Sequence, residues 1–174
     1  MQNTVLSKQN LEFLTVASEF VKFCEKPAAD SREAFISTAS KLLSLLYLKA
    51  LMLEKPASAI ENDDEYNFEF VTPARYESVK EQAVLRLADS DIYVPLRDAA
   101  MLNSEDYINI SLSELWADVY QDIANFTEAF RIGEKGLMHE AVVRCCDNFA
   151  AYWGIRLLTL LEHFHQLSFI GSKS

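Results

Sequence analysis

The chain has 174 residues, half of them apolar and 11% aromatic, with 26 acidic against 16 basic side chains and a formal net charge of −10. That length suits a single domain over 1–174, and the composition fills a core without a disulfide or metal staple, which excludes a disordered chain. The sparse, scattered cations exclude a nucleic-acid binder, and the acidic balance argues against an anionic membrane surface.

In chain order, residues 1–8 lack a basic stretch followed by an apolar run, so no signal peptide is expected. Leu14, Ala17, Val21 and Cys24 recur at helical spacing between polar residues, predicting an amphipathic helix over about 4–26 that ends at Pro27. A second helix opens at Asp30 with Glu33 three residues on and runs to about Leu53. Its half from Leu42 to Leu53 is apolar on nearly every side but is interrupted by Lys49. It is too short for a bilayer span of ~20 residues and is expected at the centre of a bundle.

Residues 54–72 form an acidic connector with Glu61, Asp63, Asp64, Glu65 and Glu69, while Phe68 and Phe70 either pin it to the bundle or offer an apolar patch. Thr72-Pro73 starts a helix to about 88. Residues 89–110 read as irregular, with a short helix near 95–102, and no segment alternates long enough to predict a strand. Ser111 or Ser113 caps a helix to about Arg131, closed near Gly133. A last, long helix spans about 135–168, with Gly154 as a kink or a point of close approach. The fold class is all-α: a single-domain bundle of five or six helices with a long C-terminal helix.

The candidate chemistry is thin. Glu61, Asp63 and Glu65 alternate as in an EF-hand loop, but Tyr66 stands where the loop needs Gly and Thr72 where it needs Glu. Glu162 and His165 have the spacing of a di-iron helix, yet His139 supplies no matching pair. Cys145 and Cys146 are adjacent and read as small apolar residues, and three cysteines in all fit a reducing cytoplasm. Glu114, Asp118 and Asp122 recur every four residues, with Tyr120 between the last two. Glu114 and Asp118 are expected to point away from the apolar sector, and Asp122 to border it, half-buried and bonded to a Tyr, Trp or Arg. Trp116, Tyr152 and Trp153 are candidates for an aromatic pocket. No nucleophile elbow, phosphate loop or Cys-x-x-Cys is present. No cofactor and no metal are called for.

The stretches Glu12-Phe13-Leu14 to Phe20-Val21, Leu42-Leu43 to Lys49-Ala50, Ala117 to Asp122, and Tyr152-Trp153-Gly154 with Leu157 resemble an uncharacterised bacterial family, a domain of unknown function. The resemblance implies a single helical domain in the bacterial cytoplasm and no catalytic residue. The expectation is a non-enzymatic interaction module that binds a protein partner or forms a homodimer. The alternative is a metal-assisted phosphohydrolase using the carboxylates of the 111–131 helix.

Overall fold

A computed structural model describes residues 4–57, 66–97 and 107–170. Hydroxyl side chains start four of the helices. Ser7 accepts from the Asn10 amide ahead of α1 (Lys8–Glu25), and Ser31 from Ala34 ahead of α2 (Arg32–Leu51). Thr72 accepts from Arg75 ahead of α3 (Pro73–Leu87), and Ser111 from Glu114 ahead of α4 (Leu112–Ile132). Each hydroxyl satisfies an amide that has no partner within its helix. Gly133, at φ 76°, closes α4 in the left-handed conformation.

The final helix is continuous in direction but not in pitch. α5 (Lys135–Asn148) passes through a π-helical turn at Phe149–Trp153 into α6 (Gly154–Phe169). The sequence carries the cause. Cys145, Phe149, Trp153 and Leu157 follow one another in three steps of four, and each such step overshoots a 3.6-residue turn by ~40°. A wider turn keeps all four residues near one face. Gly154 permits it, because a methyl group there would overlap the Phe149 carbonyl oxygen.

α4 is the central helix, packed against α1, α3, α5 and α6. Trp116 on its inner face is fully buried and sits in a nest of rings, with centroids 5.1 Å from Phe20 and 5.2 Å from Phe35. An aromatic side chain buries ~150–250 Å², so such a ring contributes roughly 4–6 kcal/mol of hydrophobic free energy. Phe68 and Phe70 pack edge to face at 6.2 Å against this core, so they pin the second half of the connector to the bundle. The acidic residues 61, 63, 64 and 65 lie outside the described residues.

Two expectations are corrected. Within 89–110 the chain forms a small antiparallel sheet of β1 (Tyr93–Leu96) and β2 (Ile108–Ser111), with Tyr93 opposite Ser111 and Leu96 opposite Ile108. Val94 and Leu96 point into the core. Four residues are too few to display a period of two, and Pro95 is tolerated because in a two-stranded sheet each strand is an edge. The sheet replaces the start of the expected 95–102 helix; 98–106 lie outside the described residues.

The other correction concerns α2, which is not central. It lies on the outside of the bundle, mainly against α1 and α6 with a smaller contact to α3. Phe35, Ala39, Leu43 and Leu46 are buried, but Leu45, Leu48 and Leu51 are 46%, 51% and 60% exposed. An all-round apolar helix has more apolar surface than these neighbours cover.

Candidate functional site

The family-like stretches of α4 and the π turn meet in a polar seam between α3, α4 and the C-terminal helix. Asp118 projects from α4, and both of its oxygens are taken. The Tyr76 hydroxyl donates to Oδ1 at 2.8 Å, and Arg156 Nε donates to Oδ2 at 3.1 Å. The Arg156 guanidinium lies over the Tyr152 ring, 3.5 Å from its centroid. Asp118 and Arg156 are 8% and 5% exposed, so this is a buried ion pair in which charge, hydrogen bonding and ring stacking offset desolvation. The expectation that Asp118 faces away from the apolar sector is therefore wrong. A wheel drawn on apolar residues places Asp118 outward because it omits a cation arriving from another helix.

Asp122, one turn further along, is half-buried as expected, but its partner is an amide. Asn148 Nδ2, at the end of α5, donates to Oδ1 at 2.8 Å. Burial pushes the Asp122 carboxyl up to about 6, opposed by the Asn148 bond and assisted by the charge of Asp118. The Tyr152 phenol is held up at about 12, first by burial and then by Asp118, and the same causes raise Tyr76 above its usual range. Both phenols are thus protonated donors at neutral pH. A cavity of about 150 Å³ beside it is lined by Phe68, Glu69, Asn125, Arg144 and Asn148 among others.

The remaining candidates go elsewhere. Glu114 sits at the rim, 3.7 Å from Lys80. Tyr120 turns to the opposite side of α4 and donates to Glu25 at 2.7 Å, where Arg75 binds the same carboxylate oxygen at 2.7 Å. Burial and that bond raise the Tyr120 phenol. Trp116 and Trp153 do not form an aromatic pocket with Tyr152. Both indoles are fully buried, Trp153 tilted against Phe149 with centroids 4.6 Å apart and donating to the Cys145 carbonyl at 3.3 Å, while Tyr152 faces Arg156. Among the described residues no three His, Cys, Asp or Glu side chains are grouped to hold a metal ion. The candidate carboxylates Glu114, Asp118 and Asp122 are instead bound to Lys80, Tyr76 with Arg156, and Asn148 respectively. This arrangement locks helices together.

Sequence reasoning missed Tyr76, Asn148 and Arg156. The signal for Arg156 was its place between Trp153, Leu157 and Leu160 in an apolar stripe, which demands a buried counter-charge. It also missed a groove of about 890 Å³ between α2 and α6. Ile36, Leu161, Leu167 and Phe169 supply its apolar surface, and Ser37, Ser40 and Ser44 one wall. Ser40 and Ser44 donate back to the carbonyls of Ile36 and Ser40 at 2.7 Å each, so their hydroxyls are already engaged by their own helix.

Comparison with known proteins places the chain. The family DUF5063, a domain of unknown function, matches residues 4–169. The chain belongs to this family. The crystal structure of protein BF1032 from Bacteroides fragilis is 31% identical, with 98% of this chain and 99% of that one covered and a TM-score of 0.82. No curated protein matches the chain.

Proposed function

We propose that this DUF5063 domain is a docking module whose binding face is the groove between α2 and α6. One observation carries the reading: α2 leaves Leu45, Leu48 and Leu51 about half exposed on the same helix that walls the 890 Å³ groove. Scattered single leucines need no explanation, whereas an apolar face alongside a concavity marks an interaction site. α2 also has the length and mean hydropathy, 1.3, of a bilayer-crossing helix, although its Phe35, Leu43 and Leu46 side chains are committed to the core. The competing reading, a metal-assisted phosphohydrolase, requires carboxylates converging on one point. Those of α4 are each held by a different partner.

The test is a tagged copy expressed at native level in its own host, beside a variant carrying Ser37→Tyr and Ser44→Tyr. Both positions are exposed, so the substitutions fill the groove at a stability change within about 0.5 kcal/mol. The wild-type chain is expected to retain a stoichiometric partner that the variant loses at unchanged Tm. A partner retained equally by both, or captured by neither, overturns the reading.

A further inference from the structure

The groove does not share the charge balance of the chain. Acidic side chains outnumber basic ones 26 to 16 overall, yet the charged groove residues are Arg32, Lys41 and a single carboxylate, Glu33. Arg32 and Glu33 neutralise one another at 3.4 Å near the start of α2, and Arg32 also donates to Ser90 at 3.1 Å. Lys41 stands midway along the α2 wall, between Ser37 and Ser44, with no carboxylate within 4.0 Å among the described residues. Its helical neighbours three and four positions away are Thr38, Ser44, Ser37 and Leu45, so its own helix offers no counter-charge. On a chain of net charge −10, this groove therefore carries an unneutralised cation.

The shape of the groove selects a helix. Its walls are two helices running antiparallel, since Phe35 meets Phe164 at 6.1 Å while Tyr47 meets Phe149 at 5.2 Å. The furrow between such a pair accepts a third helix through residues recurring at i, i+3 or i+4 and i+7. From Ile36 to Ser44 the wall is ~12 Å long, a little over two helical turns. Ser37, Ser40 and Ser44 are small and allow a close approach to the backbone of α2.

We infer that the groove's occupant is an amphipathic helix of another protein, with an apolar stripe seated on Leu161, Leu167 and Phe169 and a carboxylate on its flank facing Lys41. The inference rests on the docking reading above and adds the chemistry of the partner. A second copy of the chain fits less well, because a two-fold axis through the groove would oppose Lys41 to Lys41.

The experiment uses the full chain and two synthetic helical peptides of about four turns, with identical leucine stripes and either Glu or Lys flanks. Fluorescence anisotropy at about 0.15 M salt, where screening acts beyond ~8 Å, reads the local charge of the groove. The Glu-flanked peptide is expected to bind at least about tenfold more tightly than the Lys-flanked one. Lys41→Glu should reverse that order, and the Ser37→Tyr, Ser44→Tyr variant should remove binding of both. Equal affinities, lost in the tyrosine variant, overturn the acidic occupant but keep the docking groove. Binding of neither peptide, or binding that the tyrosine variant leaves intact, overturns the inference together with the docking reading. Two control arms assign the groove to other occupants and also overturn it. They are self-association in analytical ultracentrifugation, and attachment to phosphatidylcholine–phosphatidylglycerol vesicles, each abolished by the tyrosine variant.

Discussion

α2 and α4 are nearly equal in length, 20 and 21 residues, and they invert the usual relation between hydropathy and depth. α4 carries Glu114, Asp118 and Asp122, yet it is the centre of the bundle. α2 has only Glu33 among its acids and a run of leucines, yet it is peripheral and half of its apolar face meets water. The difference lies in what each helix finds opposite. Asp118 finds Tyr76 and Arg156, so its burial is compensated atom by atom. Leu45, Leu48 and Leu51 are only about half covered by the described chain. Depth follows the availability of complementary partners, and the face without one is where another molecule is expected.

The largest effect should come from the seam. Asp118→Ala leaves the Arg156 charge buried without its carboxylate, and urea unfolding should register a loss of about 3–5 kcal/mol. A loss below about 1 kcal/mol would mean that the ion pair does not hold α4 to α6. Next, the two faces of α2 can be set against each other. Leu46→Ala, inside, should cost about 2–5 kcal/mol, and Leu48→Ala, outside, less than about 0.5 kcal/mol. Equal costs would remove the basis for calling the outer face spare. Gly154→Ala should cost about 1–3 kcal/mol, because the added methyl meets the Phe149 carbonyl and the π turn must shift. Retention of full stability would show that the turn does not depend on the glycine.

The smallest effect is a pH dependence. Burial raises Asp122 to about 6, so between an unfolded value of about 4 and that point the native state holds the proton more firmly than the unfolded chain does. The stability this confers is complete below about pH 4 and is lost as pH rises through 6. Asp122→Asn should therefore match the wild type near pH 4 and exceed it by on the order of 1 kcal/mol at pH 8, since the amide oxygen still accepts from Asn148. A gap that does not widen with pH would contradict the burial of this carboxyl.

Much of the bundle was legible because helix signals are local. Thr72-Pro73, Ser111 with Glu114, and Gly133 mark ends that the structure reproduces within a residue or two. The seam was half legible. The spacing of Asp118 and Asp122 on one helix is a sequence property, but Tyr76 and Arg156 reach Asp118 across 42 and 38 residues, and no local pattern encodes which helix will face which. The split of Tyr120 away from Asp118 and Asp122 follows from helix geometry, since a step of two residues turns ~200° about the axis. For α2, an apolar residue on every side implies depth, whereas the same pattern also describes a helix that buries one face and leaves the other half exposed. Length hid the sheet, since β1 and β2 have four residues each.

The most direct measurement compares the two regions inside the cell. A photo-crosslinking amino acid placed at Leu48, on the outer face of α2, is set against one at Glu77, exposed beside Tyr76 on α3. The docking account expects a discrete higher-mass adduct from position 48 that the Ser37→Tyr, Ser44→Tyr background suppresses, and none from position 77. Adducts from position 77 alone, or no adduct from position 48, would contradict it.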